Sequence, residues 1–197
     1  MSKHHRNRNW APAPQPLPED AHVIDNHTHI ASVVPFSQAM SHEAMEKGQG
    51  EVPVYSVDEL LEQAQKVGVE GVIDCGCELP NLMTAIDMAR EHPGTVHAAI
   101  AIHPNEAVLH GHRGAPGPDG LPIKYKPWHD IPFDEAMAEV HRLATTYPNQ
   151  VVAIGETGMD LFRTGEGAKE LQREAIRAHV ALAKELNLPM QIHDRDS

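Results

Sequence analysis

His27 and His29 stand two residues apart in the run Val23-Ile24-Asp25-Asn26-His27-Thr28-His29-Ile30. In an extended strand, side chains at i and i+2 leave the same face, so both imidazoles and Asp25 share one side. Two ligands from one rigid strand converge on a cation at little ordering cost, which makes an H-x-H at a strand end a candidate part of a metal site. Two partly exposed histidines packing a loop is the plainer alternative. Glu156 lies in Gly155-Glu156-Thr157-Gly158-Met159-Asp160, directly after Val151-Val152-Ala153-Ile154. A carboxylate leaving a buried strand is costly unless it is paired or on a metal. Gly155 and Gly158 let the backbone turn tightly around whatever it holds. A salt bridge beside a helix accounts for Glu156 equally well. Near the other end of the sequence, Gln191, His193 and Arg195 share a face opposite Met190 and Ile192, which aims His193 inward as a further ligand. Arg195 is suited to grip a phosphate or carboxylate in bidentate fashion, or to pair with a nearby acid. His103 precedes Pro104, so its backbone is held extended, where a structural and a catalytic histidine both fit.

The elements that position these residues alternate between strand and helix. Strands are expected over His22–Ile30, Val69–Cys75, Val96–Ile102, Val151–Gly155 and Met190–His193. Helices are expected from Val57, behind a Ser56–Glu59 capping box, to Gly68, and over Asn81–Glu91, Phe133–Tyr147 and Gly167–Leu186. Ala31–Tyr55 and the Gly- and Pro-rich stretch Gly111–Pro132 read as surface loops. Such alternation implies a parallel α/β sheet. The G-x-G-x-x-G of a dinucleotide-binding sheet is missing after the first strand, and polar residues finish several strands, as in a (β/α)8 TIM barrel. A barrel takes ~250 residues and eight strands, whereas the pattern here supplies five in 197 residues. The expected architecture is therefore a TIM barrel truncated after about five strands, occupying residues 21–197 behind a disordered Pro-rich arm over residues 1–20.

Composition narrows the function. Lys+Arg 16 against Asp+Glu 28 gives a net charge of −12, which makes the bare chain a poor nonspecific binder of nucleic acid. No apolar run approaches the ~20 residues of a membrane span, and no hydrophobic stretch follows the basic first residues as in a signal peptide. Cys75 and Cys77 form no disulfide framework and read as small buried hydrophobes in a cytoplasmic protein. Of the 15 histidines, His4, His5, His42, His110, His112 and His129 fall in the arm or the loops and are expected to be solvated.

Taken together, Ile24 to Ile30, Ala101-Ile102-His103-Pro104, Ile154 to Asp160, the helix containing Gln172, and Leu188 to Arg195 resemble, in order, the motifs of the TatD family of metal-dependent deoxyribonucleases. The resemblance runs from about Val23 to Ser197. It implies a TIM-barrel hydrolase with two divalent metal ions (Mg, Mn or Zn). His27 and His29 would bind one ion, Glu156 would bridge both as the catalytic carboxylate, and His193 would bind the second. His103 and Arg195 would lie near the substrate phosphate. The implied reaction is exonucleolytic hydrolysis of DNA phosphodiesters by a metal-activated water, the cations inverting the local field so that an acidic chain accepts DNA. No membrane and no obligate protein partner is implied. Family members continue through three more strands, with a further histidine ligand and a late general-base aspartate that this sequence does not reach. A small-molecule amidohydrolase or lactonase on the same barrel, and a non-catalytic metal-binding fragment, are the alternatives.

Overall fold

Five parallel strands, β1 (Val23–Thr28), β2 (Val69–Gly76), β3 (Val96–Ile100), β4 (Val151–Asp160) and β5 (Met190–Arg195), lie side by side in chain order. Between them run α1 (Ile30–Glu46), α2 (Val57–Lys66), α3 (Leu79–Glu91), the short α4 (Pro104–Ala107), α5 (Phe133–Thr146) and α6 (Lys169–Leu186). This computed structural model describes residues 16–18, 20–48, 53–114, 116–117 and 121–197. Each strand pairs with the next in sequence, so the winding never reverses; a doubly wound sheet reverses at a switch point and a barrel does not.

Local chemistry sets the helix ends. Ser56 Oγ accepts from the Glu59 N–H, and the Glu59 carboxylate accepts from the Ser56 N–H at 2.7 Å, closing the expected capping box at α2. Asn187 ends α6 in the left-handed region, φ 52°, and Pro189 follows. Leu82 and Ile86 of α3, Val140 and Leu143 of α5, and Ile100 and Ile154 of the sheet form the core between helices and strands. The opposite face of the sheet carries small side chains, Cys75, Ala99 and Ala153. One polar group bolts the two layers together. His179 of α6 is wholly buried; its Nε2 accepts from the Ile102 N–H at 3.1 Å, so Nδ1 holds the proton, which faces the Ala175 carbonyl at 2.7 Å and Thr157 Oγ1 at 3.0 Å.

A bulge in β4 aims the central carboxylate. Ile154 pairs with Met190 and Thr157 with Ile192, so three steps along β4 match two along β5. The extra residue falls at the cis peptide Gly155–Glu156 and re-aims Glu156, the service that bulges beside active sites provide. The two strands also approach closely where β4 has glycine. A Cβ on Gly155 would lie 2.5 Å from Gln191 Cβ, and one on Gly158 would lie 2.0 Å from the His193 carbonyl oxygen. Gly158→Ala is therefore expected to lower the unfolding free energy by at least the ~1–3 kcal/mol of an overpacked site. An unchanged urea midpoint would show that β5 can yield without cost.

Several sequence expectations need correction. Residues 31–55, read as a loop, contain most of α1. Its buried residues Ile30, Ser37 and Ala44 recur only every seventh position, and Pro35 sits inside the helix, so the usual three-to-four spacing of apolar residues is missing. His110 and His129 are buried, not solvated. His129 accepts the Lys126 N–H on Nδ1 and so donates from Nε2 to Glu106 Oε2 at 2.8 Å, where Trp128 Nε1 also donates at 3.0 Å. These bonds dock the described part of the Gly- and Pro-rich segment onto α4. Strand β4 is longer than expected and β3 ends two residues sooner. Most of the Pro-rich arm lies outside the described residues; within it, the Leu17 N–H donates to the Val67 carbonyl at 3.0 Å.

Candidate metal centre

β1, β4, β5 and the start of α4 deliver their polar ends to one place, at the C-terminal ends of the strands. Glu156, 8% exposed, is at the middle. Its Oε2 lies 3.5 Å from His27 Nε2 and 3.8 Å from His29 Nε2. Its Oε1 lies 2.5 Å from His193 Nδ1 and 3.8 Å from His103 Nε2. The ligand atoms of His27, His29 and Glu156 all fall within 4.8 Å of one another, as do those of His103, Glu156 and His193. Four of the expected histidines, His27, His29, His103 and His193, thus meet around the Glu156 carboxylate. Arg195 does not join them; its guanidinium carbon lies 4.0 Å above the centre of the Phe162 ring.

Hydrogen bonds constrain the imidazole tautomers. A carboxylate only accepts, and His193 meets two of them, Asp160 Oδ2 at 3.2 Å from Nε2 and Glu156 Oε1 at 2.5 Å from Nδ1, so a neutral ring can donate to one and must turn a lone pair to the other. His103 is assigned by a backbone donor: its Nδ1 accepts from the Asn105 N–H at 3.1 Å, so Nε2 carries the proton and points at His193 Nδ1, 3.3 Å away. His103 therefore offers an N–H to the cluster.

Charges follow the same geometry. Burial pushes the Glu156 carboxyl up, but the His193 hydrogen bond and the neighbouring His103, His193 and His27 outweigh it, and the group sits below the ordinary glutamate value. Burial likewise opposes Asp160, which ends below its ordinary value through bonds from Asn105, the Arg163 N–H and His193. His103 is driven down to about 4, chiefly by burial against the pull of Glu156, so it is neutral near pH 7. Both ring nitrogens of His193 face carboxylate oxygens, while a neutral imidazole can donate through only one. The short contact to Glu156 calls for positive charge between nitrogen and oxygen, a proton or a cation. A set of imidazole nitrogens around a carboxylate fits a divalent cation on that ground.

Three contributors were given no part in the site by the sequence reading. Asp160 has two jobs: Oδ2 holds His193 and accepts from Asn105 Nδ2 at 2.9 Å, while Oδ1 accepts from the Phe162 and Arg163 N–H groups at 3.0 and 2.9 Å. Gln172 of α6, wholly buried, clamps the same turn by accepting from the Asp160 N–H and donating to its carbonyl. Cys77, read as a small hydrophobe, places its thiol 3.7 Å from Glu156 Oε2. The signal for Asp160 was present, since an acid four residues after Glu156 on a strand shares its face.

The model of the family described as TatD related DNase matches residues 24–197. The chain belongs to the TatD family. It is 33% identical over 179 residues to the uncharacterized metal-dependent hydrolase TatD of Mycobacterium tuberculosis, covering 89% of this chain and 52% of that protein. It is 30% identical over 140 residues to the 3'-5' ssDNA/RNA exonuclease TatD of Erwinia tasmaniensis, covering 71% of this chain and 44% of that one. The TatD homologue YJJV of Escherichia coli superimposes with a TM-score of 0.56 at 24% identity, over 88% of this chain and 51% of its own. That likeness gives the fold as the α/β TIM barrel of the TatD type. This TatD-family chain spans about half the length of the curated relatives it matches. Among the described residues, no helix is long and apolar enough to cross a membrane.

Proposed function

We propose that Glu156 bridges two divalent cations, one held with His27 and His29 and the other with His193, in a site that hydrolyses phosphodiester bonds of single-stranded DNA from an end. One observation carries this reading: the two oxygens of Glu156 face two different sets of histidines, 3.5 and 3.8 Å from one pair and 2.5 Å from His193. The exonuclease names of relatives such as the Erwinia protein support the substrate class. Cations bound there supply Lewis acidity and neutralise phosphate charge. His103 keeps its Nε2 proton at working pH, and that N–H, which meets His193 Nδ1 in this structure, is the one offered to the substrate phosphate. Asp160 and Asn105 fix the orientations of His193 and His103. Arg195 adds a fixed positive charge at the rim. Two free cysteines suit a reducing compartment such as the cytoplasm.

Calorimetric titration with Mn²⁺ or Zn²⁺ is expected to reveal two sites, and release of nucleotides from single-stranded DNA should require the cation and stop on chelation. A single site, or turnover of lactones and amides with none of phosphodiesters, would overturn the reading. Asp160→Asn should weaken cation binding by roughly 10–100-fold, the usual effect of losing the carboxylate behind a ligating histidine. Unaltered affinity in that variant would detach Asp160 from the centre.

A further inference from the structure

At the rim, beyond His193, stands a second arrangement that the metal centre does not use. Phe162, one of only three phenylalanines, leaves 36% of its surface exposed just past the end of β4. The Arg195 guanidinium carbon lies over the ring, 4.0 Å from its centre, and that of Arg163 is 5.2 Å away. Among the described residues, the Arg195 side chain makes no hydrogen bond or ion pair, although the chain carries a net charge of −12. An arginine that meets a ring in so acidic a protein has been placed by packing, not by a carboxylate.

The stack is anchored to the metal centre. The Phe162 N–H donates to Asp160 Oδ1, on the carboxylate whose other oxygen holds His193. The Leu161 N–H donates to the Arg195 carbonyl at 2.9 Å, tying the strand ends together. Arg195 follows His193 by two residues, on the same face and roughly 7 Å along the strand. Phe162 occupies one side of the guanidinium, and Arg195 as a residue is exposed to solvent.

We infer that Phe162 is a positioning residue that holds Arg195 as a stacking platform for a nucleobase beside the reacting phosphate, an inference that rests on the phosphodiester reading above. A guanidinium plane stacks on any base, and its edge can still grip a phosphate, so the platform accepts all sequences. A base can lie on it only when it is unpaired and splayed from its neighbours. The platform therefore selects single-stranded ends over duplex.

The test compares two fluorescein-labelled oligonucleotides, an oligothymidylate and its abasic counterpart, both with phosphorothioate linkages to suppress turnover, by anisotropy with Mn²⁺ and the unaltered metal ligands. The oligothymidylate is expected to bind about 5- to 150-fold more tightly, the range for one stacked base. In Phe162→Leu the ratio should fall towards one, and in Phe162→Tyr, which restores a ring, it should return. Equal binding of both oligonucleotides, or a ratio untouched by Phe162→Leu, overturns the platform while leaving the phosphodiester reading intact. Binding of neither, in protein that still takes up Mn²⁺, overturns both. Melting curves establish that each variant is folded.

Discussion

Glu156→Ala is expected to leave a folded protein that has lost the proposed paired cation site. The Glu156 side chain contributes no strand pairing, so the sheet persists. What disappears is the acceptor shared by His27, His29 and His193. His27 and His29 remain as two imidazoles with no carboxylate between them, and His193 keeps only its bond to Asp160. Calorimetry should then register at most one weak site. Cation-dependent stabilisation offers a second readout: a cation at a hundred times its dissociation constant adds about 2.7 kcal/mol to the folded state, and the variant should lose most of that shift. Nucleotide release should drop by at least about a hundredfold, since removing a charged group that meets the transition state costs about 2.7 kcal/mol or more. A variant that keeps both the thermal shift and the turnover would remove Glu156 from the centre of the account.

His179→Ala is expected to be the most destabilising single change away from that centre, by about 3–5 kcal/mol. Part is the cavity left by a wholly buried ring. The rest is the Ile102 N–H, which would lose its acceptor in a place water does not reach. The same residue sets an acid limit. Burial drives its pKa down to about 4, against the pull of the Ala175 carbonyl, while the unfolded chain titrates near 6.5. Between those values the unfolded state binds more protons, so stability rises with pH through the window and is lost on acidification. The loss from His179 alone amounts to roughly 3 kcal/mol between pH 6.5 and pH 4. Urea midpoints measured across that range should slope accordingly, and His179→Gln, which has nothing to titrate, should flatten the slope while lowering the plateau. A pH-independent midpoint in the unmodified protein would refute this.

Much of the centre was readable because strand geometry is periodic. His27 with His29, and His193 with Arg195, could be assigned a common face from alternation alone. Glu156 could not be aimed that way, because the bulge between Ile154 and Thr157 breaks the alternation just where it matters. Arg195 was assigned a charge partner or a phosphate, and pattern reading had no means of finding Phe162, which meets it through a turn fixed by Asp160. Helix α1 was missed because one buried side per two turns leaves no amphipathic stripe. The burial of His110 and His129 was missed for a related reason: a Gly- and Pro-rich segment looks solvated until the acid that receives it, Glu106, is seen in space.

The docking of that segment has a consequence for how such an enzyme could diversify. Glu106 is one turn from His103, on the same short helix, and its carboxylate is gripped by Trp128 and His129. None of these three touches His27, His29 or Glu156. On the proposed reading, substitutions in the segment would act on His103 through its short helix, while the residues of the first cation site stay as they are.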